Sequence, residues 1–104
     1  MRTLHFTLDK MEFLGGGEAL LAGRCCRDEI RLGDKVQWMA LREGPVEEEG
    51  TYHRREEASF EIIRILMYGK SMTFVSPGMT AGLIMPSELA KGLRFGWHLF
   101  GEND

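Results

Sequence analysis

Apolar and polar residues alternate strictly along Leu4-His5-Phe6-Thr7-Leu8, the two-residue period of a strand with one buried face. Asp9-Lys10 can turn the chain, and Met11 to Leu14 extends it again. Gly15-Gly16-Gly17 then permits a tight reversal. Ala19 to Cys26 reads as a buried strand. Lys35 to Leu41 reads as the next, with Val36, Trp38, Met39 and Leu41 as its apolar members. Residues 42–58 form a long polar excursion broken by Gly44-Pro45 and Gly50, either a loop or an extended hairpin. Phe60 to Tyr68 is apolar on both faces at its centre, as a core strand is. A helix competes there, because Glu56 to Met67 contains good helix formers. Met72 to Val75, Thr80 to Met85 and Trp97 to Phe100 complete the strands. Ser87 to Lys91 reads as one helical turn stopped by Gly92.

The 104 residues include 13 glycines and three prolines, which cut the chain into short pieces. No interval carries a helical repeat over three turns, so the reading is all-β. A chain of this length makes one domain, 1–104, with the polar insertion at about 42–58. Seven or so short strands suit a small closed antiparallel barrel, which also removes exposed edges. No apolar run reaches the roughly 20 residues of a membrane helix. The opening residues do not read as a signal peptide. Two adjacent cysteines build no disulfide framework and suit a reducing cytoplasm.

The order of the turns adds information. A glycine turn leads into Ala19-Leu20-Leu21-Ala22 and then Gly23-Arg24. Ile30-Arg31-Leu32-Gly33-Asp34-Lys35-Val36 comes next, then Phe60-Glu61-Ile62-Ile63-Arg64-Ile65, then Gly78-Met79-Thr80-Ala81-Gly82-Leu83, and last Leu89-Ala90-Lys91-Gly92. This succession, over Leu4 to Leu99, resembles domain II of the translational GTPases, the barrel beside the GTP-binding domain in elongation factor Tu and its relatives. The resemblance implies a closed six- to seven-stranded barrel, free-standing here. It also implies binding of the aminoacyl end of tRNA, of ribosomal RNA or of a partner protein. The family's glycine turn usually carries an arginine. Gly17 stands there in this chain, with Glu18 where a further glycine is usual. Both changes oppose a phosphate-rich ligand. No Gly-x-x-x-x-Gly-Lys-Ser/Thr loop occurs, so the sequence contains no GTP site of that kind.

Charge changes the picture further. Glu43, Glu47, Glu48, Glu49, Glu56 and Glu57 face only Arg54 and Arg55, so the acidic excess of a chain with net charge −3 lies in this segment. It suits a basic protein partner, with Glu47, Glu48, Glu49, Tyr52, Arg54 and Arg55 as the docking residues. The RNA alternative rests on Arg24, Arg27 and Arg31 with the turn at Gly16 and Gly17. Cys25 and Cys26, neighbours on a strand, point to opposite faces and cannot easily share a metal. His5, His53 and His98 have no ligand at metal spacing, although His5 and His98 fall on first and last strands that a barrel makes neighbours. No nucleophile elbow or catalytic constellation is present. The expectation is therefore a cytoplasmic, non-catalytic binding module without cofactor, metal or membrane contact. Its function is protein docking, with RNA binding as the alternative. Pairing of two copies is left open.

Overall fold

Leu4, Phe6 and Leu8 are buried, while His5 and Thr7 between them are only partly covered. The alternation in the sequence is thus the in–out alternation of a strand. The computed structural model describes residues 1–42, 52–93 and 96–104, and there this strand is β1 (Arg2–Gly15). It continues through Asp9 and Lys10 instead of turning. A register shift between Leu8 and Lys10 absorbs the break in the apolar pattern. β2 (Glu18–Cys25), β3 (Ile30–Arg31), β4 (Lys35–Arg42) and β5 (Tyr52–Glu61) follow. Then come β6 (Arg64–Met67), β7 (Lys70–Met72), β8 (Phe74–Val75), β9 (Thr80–Pro86), α1 (Ser87–Ala90) and β10 (Trp97–Asn103). The segment that also read as a helix is not helical, and the single core strand expected over Phe60 to Tyr68 is instead the end of β5 and the whole of β6, separated at Ile62-Ile63, with Tyr68 in the following turn. Among the described residues, no helix is long and apolar enough to cross a membrane.

Eight strands form one antiparallel sheet in the order β5-β4-β10-β1-β2-β9-β6-β7, and β3 pairs separately with β8. The closed six- to seven-stranded barrel expected from the sequence is therefore incorrect. The sheet is open, with β5 and β7 at its two ends. The chain passes from β5 to β6 through Ile62 and Ile63 alone. Closure would need a ladder between β5 and β7, but among the described residues β5 pairs only with β4 and β7 only with β6. The Ile62 N–H donates to the Asp34 carbonyl at 2.8 Å, and its carbonyl accepts from the Gly33 N–H at 2.9 Å. Those bonds tie the link between β5 and β6 to the turn before β4. β6 and β7 are also only four and three residues long. Exposed Arg55, Glu56 and Glu57 on β5, and Lys70 on β7, guard the ends against pairing with other chains.

One face of the sheet holds the core. Leu4, Phe6, Leu21, Ile65, Leu83 and Leu99 are among its fully buried members, and Ile30 and Val75 close it from the small sheet. Val36, Met39 and Leu41 all enter this core. A strict two-residue period would put Val36 and Met39 on opposite faces. The register shift between Val36 and Trp38 resolves the conflict and turns Trp38 outward.

Two glycines are required by close approach. A β-carbon on Gly101 would overlap the Lys35 carbonyl oxygen, and one on Gly23 would overlap that of Thr7. A buried clasp fixes the chain ends. Asp34, only 5% exposed, accepts from Arg2 Nη1 at 2.7 Å and Nη2 at 2.8 Å, and from the Arg31 N–H at 2.8 Å. Arg2 also donates to the Glu29 carbonyl (2.8 Å) and the Asp104 carbonyl (2.9 Å). The hydrogen bonds that Arg2 donates to Asp34, opposed by desolvation, hold its guanidinium above its ordinary pKa.

Gly101→Ala is expected to destabilise the fold by at least about 2 kcal/mol, because the clash is with backbone. Asp34→Ala should cost roughly 3 kcal/mol by leaving the Arg2 charge without its partner. Urea denaturation of each variant checks both. Wild-type midpoints would refute the close approach and the clasp respectively.

Candidate functional site

The sheet brings the first and last strands together, and with them two histidines far apart in sequence. β1 pairs with β10 so that His5 lies opposite Phe100 and Thr7 opposite His98. His5 Nε2 and His98 Nδ1 are 2.8 Å apart, so one nitrogen donates and the other accepts. The His5 ring stacks on Phe100 at 4.4 Å, and Phe100 stacks on Trp38 at 3.9 Å and 9°. The Arg55 guanidinium sits 4.3 Å over the Trp38 ring. This row crosses β1, β10, β4 and β5 on the face away from the core. Each aromatic pair contributes about 0.5–1.5 kcal/mol beyond area burial. The rings present their faces to one another, so the row braces the sheet and is not an open stacking platform.

The other docking candidates are placed less fully. Tyr52 and Arg54 are paired by backbone with Arg42 and Leu41. Glu47, Glu48 and Glu49 lie outside the described residues. Arg55, besides covering Trp38, is 3.8 Å from Glu57.

The RNA candidates do not converge. Arg24 is exposed on β2 opposite Thr7 and Thr80, and Arg27 is exposed in the turn that follows. Arg31 is paired with Glu29 at 2.6 Å. Gly16 and Gly17 lie at the far end of β2, about 20 Å from Arg24 at the usual rise of a strand. Around that turn stand the carboxylates of Glu12 and Glu18, and Glu18 is 4.0 Å from Arg64.

The cysteines fall on opposite faces as their adjacency predicts. Cys25 is buried, with its thiol donating to the Asp28 carbonyl at 3.1 Å. Burial raises its pKa. Cys26 is exposed and approaches Thr7 Oγ1 at 3.6 Å. Among the described residues, no three His, Cys, Asp or Glu side chains are grouped to hold a metal.

Sequence reasoning missed one feature. A shallow groove of about 290 Å³ opens between β9 and the end of β6, floored by Ala22, Gly23, Ala81 and Gly82. Asp9, Thr80 and Tyr68 stand at its edge. Tyr68 is 91% exposed and has φ 53°, the one positive value among described non-glycine residues. With Gly69 (φ 76°) it makes the two-residue turn joining β6 to β7, where asparagine or glycine is the usual first residue. The legible signal was the pair of small dipeptides Ala22-Gly23 and Ala81-Gly82, which face each other across β2 and β9. Small side chains on paired strands leave a depression.

No protein-family model matches the chain, and no curated protein matches it. Solved structures do match. Two are of translation elongation factor SelB from Methanococcus maripaludis, in its apo form and in complex with the GTP analogue GppNHp. Each gives a TM-score of 0.69 at 16% identity, covering 100% of this chain and 21% of that one. The chain thus spans about a fifth of the length of those factors, and identity at that level shows the fold alone. The fold is an antiparallel sheet of the elongation-factor domain II type, as the order of turns implied.

Two outcomes follow from this geometry. A thiol reagent at pH 8 should modify Cys26 rapidly and Cys25 only after unfolding, as peptide mapping would report. Equal rates would contradict the buried position of Cys25. Tyr68→Gly should raise stability by about 1 kcal/mol, because it relieves a left-handed conformation and sacrifices little packing. A loss of stability would mean that Tyr68 has contacts of its own.

Proposed function

We propose that this β-domain is a non-catalytic binding module that docks onto a protein partner. The observation that carries the reading is the placement of its cations. A phosphate-binding surface needs arginines and lysines gathered on one face. Here Arg2 is committed to Asp34, Arg31 to Glu29, and Arg55 to Trp38 and Glu57. The glycine turn is flanked by carboxylates. Residues 43–57 add the acidic excess, which attracts a basic protein and repels phosphate. Two thiols outside any disulfide suit a cytoplasmic setting.

A second reading, contact with tRNA or ribosomal RNA, has one observation in its favour. Tyr68 exposes an aromatic ring beside the groove, and Arg24 lies across from Thr80 at its rim. Single-stranded bases stack on such rings.

The deciding experiment is recovery of the tagged chain from native lysate at physiological salt, with and without ribonuclease. A stoichiometric protein that survives ribonuclease is expected. Its capture should be abolished by the joint change Glu47→Lys, Glu48→Lys and Glu49→Lys while the folded circular-dichroism spectrum is retained. Recovery of tRNA or ribosomal components that vanish with ribonuclease would overturn the protein reading. Capture that survives the charge reversal would remove the acidic segment from the interface.

A further inference from the structure

Two imidazoles meet at the seam between the first and last strands, and protein docking makes no use of them. His5 Nε2 and His98 Nδ1 are 2.8 Å apart, on rings 5.1 Å apart and tilted by 32°. A contact of that length holds one proton between its two nitrogens. When both rings are neutral, one donates its N–H and the other accepts. When one ring is protonated, the imidazolium donates to its neutral neighbour, and the bond is stronger for its charge. When both are protonated, each nitrogen carries a hydrogen and neither can accept. The contact therefore admits a first proton and excludes a second.

The rings differ in how easily they part. His98 is only 7% exposed, on a strand paired on both sides, with Thr7 and Ala40 opposite. His5 is partly exposed and stacks on Phe100 at 4.4 Å and 20°. Phe100 is itself only 9% exposed. His5 is thus the ring that reaches water by rotating its side chain, and its departure bares the Phe100 face it covers.

Charged and titratable groups flank the pair on each neighbouring strand. At the end of β2, the Cys26 N–H donates to the His5 carbonyl at 2.8 Å, and Arg24 lies opposite Thr7. On β10, Glu102 is diagonal to His5 and accepts from Thr3 Oγ1 at 3.2 Å. On β5, Arg55 lies opposite Ala40 and Glu57 opposite Trp38, with 3.8 Å between their side chains. The side chains of Arg42, His53 and Arg54 lie outside the described residues. Cations nearby oppose a second positive charge, and a carboxylate favours it. Neither changes the count of hydrogens in the gap, so the direction of the effect comes from the pair's own geometry.

We propose that His5 and His98 form an acid-operated catch, closed with at most one proton and opened by the second, which swings His5 away and bares Phe100. The open form takes up the proton that the closed form refuses. The closed form is therefore favoured at neutral pH and loses ground as pH falls below the ordinary histidine value of about 6.5. The loss approaches tenfold in the closed-to-open ratio for each pH unit.

The test follows the imidazole signals of His5 and His98, the Trp38 indole N–H and the Phe100 ring by NMR from pH 8 to pH 4.5. Two separate protonation steps are expected. The second should shift Phe100 and Trp38 reversibly and leave the amides of Arg2 and Asp34 in place, which separates the catch from acid unfolding of the clasp. His5→Gln keeps a donor and an acceptor but takes up no proton, so it should abolish the second step and leave Phe100 and Trp38 independent of pH. His98→Gln should do the same, and serves if the first variant does not fold. The titration of the wild type decides the matter without either. Full protonation of both rings with Phe100 and Trp38 unmoved would overturn the proposal. So would the absence of a second step by pH 4.5, its survival in a glutamine variant, or its coincidence with loss of the folded amide spectrum.

Discussion

The six-residue ladder between β1 and β10, from Arg2 opposite Asn103 to Thr7 opposite His98, is the constraint on which the other arrangements depend. Joining positions about a hundred residues apart costs roughly 4 kcal/mol of loop entropy. Burial of Leu4, Phe6 and Leu99 offsets that cost, and so do the bidentate Arg2–Asp34 pair and the absence of a side chain at Gly101. Once β1 and β10 are paired, β4 can add to one side and β2 with β9 to the other. The same pairing assembles the histidine contact and the stacked row on the outer face.

Much of this was legible in the sequence. Leu4 to Leu8 showed its strand through alternation, and Ser87 to Gly92 showed its helical turn through a glycine that takes φ 87°. The neighbourhood of His5 and His98 followed from the expectation that first and last strands meet. The closed barrel did not follow. Whether a sheet closes depends on whether its end strands pair, and periodicity within a strand carries no record of which strands become the ends. Trp38 was equally hidden, since a register shift and not the two-residue pattern decides which face it takes. The site was less legible than the fold. Arg24, Arg27 and Arg31 are close in sequence, yet Arg31 is tied to Glu29, and a strand's length separates Arg24 from the glycine turn. The groove was missed because its signal is the smallness of residues on paired strands.

The two ends of β2 now define contrasting surfaces. At one end, the glycine turn adjoins Glu18, which is 4.0 Å from Arg64. At the other, Arg24 lies across from Thr80 at the rim of the groove, with Tyr68 at its edge. The sheet fixes the geometry of both ends and leaves their chemistry to the turns. The proposal of protein docking rests on the acidic excess of residues 43–57.

Titration of 15N-labelled protein with unfractionated tRNA at 150 mM salt tests that central claim most directly. The account predicts no saturable shifts, because Arg24 and the glycine turn lie at opposite ends of β2 and the acidic excess of residues 43–57 repels phosphate. Saturable shifts centred on Arg24, Arg27 and Tyr68 would contradict it and identify the groove as an RNA site.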